Sequence, residues 1–290
     1  MATVTVYPQP DLVVRASATV GEGPVWDERS GCLVWVDIVR GTLCQSDLAT
    51  STSRSWTLDT LLGAAVPRRE RSGFAVAVAD GFGLVEEDTL TLVDQALPEP
   101  HRRMNDAACD SRGRLWAGST HLDFTPGGGA LHRWNGVEPS TVMAAGLTLP
   151  NGLGWNSDDS TMYLIDSVRH VLLSTPYAPD DGTIGDFTPL CAIDEGLPDG
   201  LAVDLDGCIW VAVWGGYAVH RFSPAGELIG TVPLPVEKPS SCAFGPDGTL
   251  YITSASADLD QEELARQPLA GSVFALPTTT RGVPVHAFDG

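Results

Sequence analysis

Six times along this chain a short polar turn gives way to an apolar run built around one large side chain: SGCLVWVD, RSGFAVAV, SRGRLWAG, DDSTMYLI, LDGCIWVA and PDGTLYIT. Aligned on Trp35, Val76, Trp116, Tyr163, Trp210 and Tyr251, the units recur at intervals of 41, 40, 47, 47 and 41 residues. A period of that length marks one supersecondary unit stacked repeatedly on its neighbours. Turns of Asp, Ser and Gly between runs rich in Val, Ile, Leu and Trp are hairpin chemistry, and HRFSPAGELIGTVPL supplies a second hairpin after the fifth unit. Helical periodicity is nearly absent; DQEELARQP, 260–268, is the best example and spans barely two turns. The pattern predicts an all-β fold, a six-bladed β-propeller of four-stranded blades around a central channel. The 31 Gly and 21 Pro are spread along the chain, leaving no linker, so residues 1–290 are expected to form a single domain.

Composition narrows the function. With 43% apolar residues the chain can bury a sizeable core. Its net charge of −20 repels phosphate backbones and anionic membranes and favours cations, which argues against nucleic acid and membrane partners. No apolar run reaches the length of a membrane span, and MATVTVYPQPDLVV lacks the basic and apolar regions of a secretory signal, so a cytoplasmic location is expected. The six cysteines form no Cys-x-x-Cys pair and read as reduced. Lys238 is the only lysine, which makes Schiff-base chemistry improbable.

The repeats also place chemistry. LPNGLGW and LPDGLAV restate one another 48 residues apart, with Asn151 becoming Asp199. In a propeller, equivalent positions at the start of the innermost strands converge on the channel mouth. Counting back 11 to 13 residues from the anchors reaches Glu22, Asn105, Asn151 and Asp199, while the remaining two blades offer Ala64 and Ser240. Asn or Asp before Gly is an ordinary turn residue when met once. Four oxygen-bearing side chains at one repeat position point instead to a hard divalent cation, Ca²⁺, Mg²⁺ or Mn²⁺ before a structural zinc. The Asp-x-Asp-Gly of DLDG, 204–207, lacks the glutamate of a calcium loop and reads as a hairpin turn.

At GEGPVWDE, RMNDAACDSRGRLWAG, LPNGLGWNSDD, LPDGLAVDLDG and QPLAGSVFAL the sequence resembles the senescence marker protein, regucalcin and gluconolactonase family, six-bladed propellers that include sugar-lactone hydrolases. The resemblance implies that Glu22, Asn151 and Asp199 ligate one divalent cation, Ca²⁺ first, with Zn²⁺, Mg²⁺, Mn²⁺ and Fe²⁺ as alternatives. It implies that Arg103 and Asn105 hold the sugar and that the segment after AGST, 119–129, forms a lid loop over the site. The loop departs from the family pattern: Thr120, His121 and Leu122 precede Asp123, the acidic residue it offers the substrate.

The expected reaction is hydrolysis of an aldonolactone to its acid. The cation polarises the carbonyl and activates water, and Asp199 serves as general base as well as ligand. Two other activities share the ligand set: a metal-dependent esterase or phosphotriesterase, which a more apolar mouth would favour, and a propeller that binds calcium without catalysis. No Gly-x-Ser-x-Gly, His-Glu-x-x-His or Gly-x-Gly-x-x-Gly motif is present.

Overall fold

The turns ahead of Trp116 and Trp210 are each built on an aspartate. In DSRGRLW, Asp110 accepts the backbone N–H groups of Arg112 and Arg114, both at 3.0 Å, and the Trp116 indole N–H at 2.8 Å. DLDGCIW repeats the device: Asp204 accepts Asp206 N at 3.0 Å, Cys208 N at 2.9 Å and the Trp210 indole at 2.9 Å. One carboxylate thereby closes the hairpin and satisfies the polar edge of a fully buried ring. DLDG is such a turn.

In the computed structural model, which describes residues 4–290, these hairpins belong to six antiparallel sheets arranged as the blades of a β-propeller. The innermost strands are Gly21–Asp27, Leu62–Pro67, Arg102–Cys109, Pro150–Trp155, Leu197–Val203 and Pro239–Phe244. The anchors Trp35 to Tyr251 all lie on the second strands, from Cys32–Asp37 to Thr249–Ser254. The best helical stretch forms one short helix, Gln261–Arg266, opened by a capping box between Asp260 and Glu263.

Both ends of the chain are sewn into the ring. Asp11–Val14 pairs antiparallel with Val273–Pro277 and supplies the outer strand of the sixth blade, whose other three strands come from the far end of the sequence. Thr5–Val6 adds a parallel fifth strand to the neighbouring blade, against Leu228–Pro233. Closure of this kind ties the start of the chain to its end within one blade. Between blades the core is continuous: Trp210 and Val232 of the fifth pack with Phe244, Ile252 and Phe274 of the sixth. The six cysteines are all free, four of them buried.

Segment 278–290 then crosses the face that carries the hairpin turns. It is held by Val283 N to Val203 O at 2.9 Å, Phe288 N to Pro67 O at 2.9 Å and Asp289 N to Gly113 O at 3.0 Å. Phe288 is 1% exposed and stacks on Trp134 at a centroid distance of 4.9 Å. Phe288→Ala is expected to cost about 3–5 kcal/mol by leaving a cavity there. Chemical denaturation measures this as a drop in the unfolding midpoint; a loss under about 1 kcal/mol would mean that the tail is only draped over the ring.

Candidate metal and substrate site

Every innermost strand breaks its ladder at the same height. Register shifts fall between Glu22 and Val25, Leu62 and Ala64, Met104 and Ala107, Pro150 and Leu153, Pro198 and Leu201, and Pro239 and Ser241. In four of them two residues oppose one on the partner strand: Gly23–Pro24, Asn105–Asp106, Asn151–Gly152 and Asp199–Gly200. Such a bulge bends the strand and re-aims a side chain. Here it occurs beside Glu22 and at Asn105, Asn151 and Asp199, all buried. The glycines are required by contact between blades: a Cβ on Gly152 would lie 2.7 Å from the Asp199 carbonyl oxygen, and one on Gly200 would collide with Ser241.

Aspartates that end two of the second strands set the chain that carries the site. Asp37 accepts Thr19 N at 2.8 Å and Val20 N at 3.2 Å, just before Glu22. Asp166 accepts Thr148 N and Leu149 N, both at 3.0 Å, just before Asn151. Neither carboxylate takes part in the site itself; each fixes the chain that enters it.

The two asparagines differ in what they leave free. Asn105 donates to Pro150 O at 3.1 Å and accepts from Arg103 Nη1 at 2.6 Å, so both ends of its amide are used. Asn151 donates Nδ2 to Ser167 Oγ at 3.1 Å and to Asp199 Oδ1, which turns Oδ1 away from them. That Oδ1 is buried and has no hydrogen-bond partner. An orphaned carbonyl oxygen beside two buried carboxylates is a donor set that could hold a cation, because a buried acceptor without a partner is costly. Among the described residues no three His, Cys, Asp or Glu side chains group as a metal site, so any cation here depends on the amide oxygen.

Electrostatics point the same way. Burial holds the Glu22 carboxyl well above its usual range, and repulsion from Asp199 and then Asp106 adds to it. Burial likewise raises Asp199, with Asp106 again contributing, against the Asn151 hydrogen bond and Arg103. Arg103 is the compensating cation: desolvation lowers its pKa, and Asp199 and Glu22 oppose the shift. Three buried carboxylates with one guanidinium leave negative charge that a divalent ion would neutralise.

Asp106 is the residue that the repeat pattern did not expose. Strand alternation turns it away from the channel once Asn105 faces inward, but the bulge leaves both buried. Its signal was present in the alignment of repeats, where Asp106 stands in the place of Gly152 and Gly200. Burial pushes its carboxyl to about 6, against a lowering hydrogen bond from Ala107 N. Below it lies a cavity of about 130 Å³ lined by Asp106, Cys109, Trp155, Ser241 and Cys242, with Val283–His286 of the tail at its far end.

Of the other charged residues described, only Arg103 bonds to a member of this cluster. Arg103 is half-buried and also donates to Met104 O at 3.1 Å. Asp123 is exposed on the 119–129 loop, where its Oδ1 accepts from His121 Nδ1 at 2.8 Å, Thr125 N at 3.0 Å and Thr125 Oγ1 at 2.6 Å. Lys238 is buried, donates to Ala257 O at 2.6 Å and lies over the Trp214 ring at 5.4 Å.

Residues 20–256 match the family model for the SMP-30/Gluconolactonase/LRE-like region. The chain belongs to that family. It is 35% identical to the 6-deoxy-6-sulfogluconolactonase of Pseudomonas putida over 96% of this chain and 98% of that protein. It is 32% identical to regucalcin of Danio rerio over 97% of this chain and 98% of that one. Among solved structures it resembles a calcium-binding protein, regucalcin, from Agrobacterium tumefaciens, with a TM-score of 0.91 and 26% identity covering 99% of this chain and 100% of the other. No helix of the described residues is long and apolar enough to cross a membrane.

A carboxyl whose pKa is higher folded than unfolded binds its proton more tightly in the native state. The metal-free protein is therefore expected to lose stability as pH rises from about 4 to about 6, and to regain it on acidification through that window. Asp106→Asn removes one repelling charge, so it is expected to stabilise the metal-free protein at pH 7 by on the order of 3 kcal/mol and to flatten the slope. Thermal melts in chelator across this pH range check both; a destabilised variant at pH 7 would show that Asp106 is paired rather than frustrated.

Proposed function

We propose that the protein is a hydrolase of sugar lactones that works with one divalent cation held by Glu22, Asn151 and Asp199. The observation that carries this reading is the unpartnered Asn151 Oδ1 set beside two buried carboxylates. The relatives named as lactonases support the reaction class, and the Agrobacterium regucalcin, a calcium-binding protein, supports Ca²⁺ as the first cation to test. When bound, the cation supplies Lewis acidity toward the lactone carbonyl, whose oxygen gains negative charge as water adds.

The chain's own groups do the rest. Asp199 takes the proton that the attacking water must lose; burial makes it more basic than an ordinary carboxylate. Asn151 adds a neutral oxygen, so the ligands do not over-neutralise the cation. Arg103 presents a planar fork of donors to ring and hydroxyl oxygens, and its bond to Asn105 keeps that fork at the mouth. Asp123, on the lid loop, is the third substrate contact proposed.

Asp199→Asn keeps an oxygen at the position and removes charge and base together. With cation saturating, kcat on an aldonolactone is expected to fall by roughly 10²–10⁴, as for a lost general base. Acid release, paired with calorimetric cation titration, separates occupancy from chemistry. Near-normal kcat in the loaded variant would remove Asp199 from proton transfer.

The decisive experiment strips the protein of metal, restores one cation at a time, and assays acid release from a panel of aldonolactones. Arg103→Ala in the same panel is expected to raise KM for polyhydroxylated lactones more than for aliphatic ones. A cation bound tightly with no lactone opened would favour the non-catalytic calcium-binding reading instead.

A further inference from the structure

Four of the chain's 17 basic side chains, Arg29, Arg54, Arg68 and Arg71, line one groove of about 530 Å³ between the first and second blades, against the field of a protein whose net charge is −20. Arg29 follows the end of Gly21–Asp27, the strand whose start carries Glu22, so the groove lies at the other end of the blade from the metal and substrate site. Arg71 stands in the corresponding turn of the second blade, and Arg54 on the outer strand Thr52–Thr57.

Two of the four already meet an acid. Arg68 is 1% exposed, pairs with Glu86 and donates Nε to Gly290 O at 3.0 Å. Arg54 meets Asp88 at 3.2 Å, but both side chains are largely exposed, 67% and 58%, and a pair of that kind contributes little. Arg29 and Arg71 form no ion pair among the described residues. Arg29 Nη1 donates only to backbone carbonyls, Arg68 O at 3.1 Å, Arg69 O at 3.4 Å and Arg71 O, which ties the two turns together and leaves Nε and Nη2 open. Three acids share the groove, Asp27, Glu87 and Asp88. Asp27 is taken up by its own turn, accepting Arg29 N at 3.1 Å and Ser30 Oγ at 2.6 Å. Among the described residues Glu87 alone of the three has no partner. Two open guanidiniums thus stand against one free carboxylate.

The rest of the lining is apolar. Trp56, half-buried, packs on Phe74 with ring centroids 5.9 Å apart, and the Arg54 guanidinium lies over the Trp56 ring at 4.6 Å. The volume is far more than a bare phosphate or carboxylate ion fills and falls in the range of pockets that hold small organic ligands. We propose that this groove binds a nucleoside monophosphate, its phosphate between Arg29 and Arg71 and its base against Arg54 and Trp56. A phosphomonoester carries about −1.5 to −2 at neutral pH, which matches two guanidiniums, and their planar forks bond phosphate oxygens in pairs. A guanidinium plane also stacks on flat rings, as Arg54 does on Trp56. The groove shares no residue with the metal and substrate site, so this binding is independent of the lactonase reading.

Calorimetric titration of the protein with AMP, adenosine and inorganic phosphate tests the assignment. AMP is expected to bind with Kd below about 1 mM, and adenosine and phosphate each at least about tenfold more weakly. Arg71 is exposed and its side chain makes no hydrogen bond among the described residues, so Arg71→Gln is expected to leave the unfolding midpoint unchanged. It is expected to weaken AMP about tenfold, the scale of one hydrogen bond to a charged group. Glu87→Gln removes the repelling carboxylate and is expected to tighten AMP by about threefold or more. Arg112→Gln, whose pair with Asp180 lies on other blades, leaves Kd unchanged. AMP that fails to bind, binds no tighter than phosphate, or binds Arg71→Gln as well as the wild type would overturn the proposal. Binding abolished by Arg103→Ala would place the nucleotide at the channel mouth and overturn it equally.

Discussion

Six strands meeting around one axis cannot all keep a regular ladder. Their first residues crowd, and the backbones of adjacent blades come close enough that Gly152 and Gly200 admit no side chain. The shared answer is a bulge in each innermost strand at the same height. A bulge frees a residue from the alternation of its strand, and here the freed residues turn toward the channel mouth. Closure of the ring and assembly of the site are therefore one event. Backbone geometry that relieves crowding also aims Asn105, Asn151 and Asp199 beside Glu22.

That arrangement stores electrostatic cost where the chemistry would occur. Burial raises the pKa of Glu22, Asp106 and Asp199 alike and Asp106 adds repulsion to the other two, with Arg103 as partial compensation. The same excess of buried negative charge that frustrates the metal-free protein is what the proposed cation would neutralise. Asn151 shows the division of labour most clearly, because its amide nitrogen is tied to Ser167 and Asp199 while its oxygen stays unpaired. The turn aspartates Asp110 and Asp204 are by contrast fully engaged, one carboxylate serving turn and tryptophan together.

Much of this was legible in order along the chain. A period of 40 to 47 residues, hairpin turns with Asp and Gly, and nearly no helical pattern lead to six four-stranded blades, and the anchors do fall on the second strands. Glu22, Asn105, Asn151 and Asp199 could be found because rotation about an axis makes repeat position equivalent to place. Asp106 could not be found by alternation, since a bulge is a local exception to the two-residue period. Comparing repeats for a charged residue in a glycine's place would have pointed to it. The sewing of both termini into the ring was also hidden, because pairing between Asp11–Val14 and Val273–Pro277 spans nearly the whole chain and neither strand carries a mark of its partner.

The division follows from the range of the forces involved. Sequence alone determined what depends on local pattern: the all-β class, the blade count, the aspartate turns, and which side chains share a repeat position. Tertiary structure decided what depends on neighbours brought from afar. It orphaned the Asn151 oxygen, committed both ends of Asn105 and drew Asp106 inward beneath the site. It also held Phe124 and Tyr217, both exposed, in a left-handed backbone that bulky side chains rarely adopt. Desolvation, hydrogen-bond accounting and backbone strain are properties of the assembled ring, and no stretch of a single blade contains them.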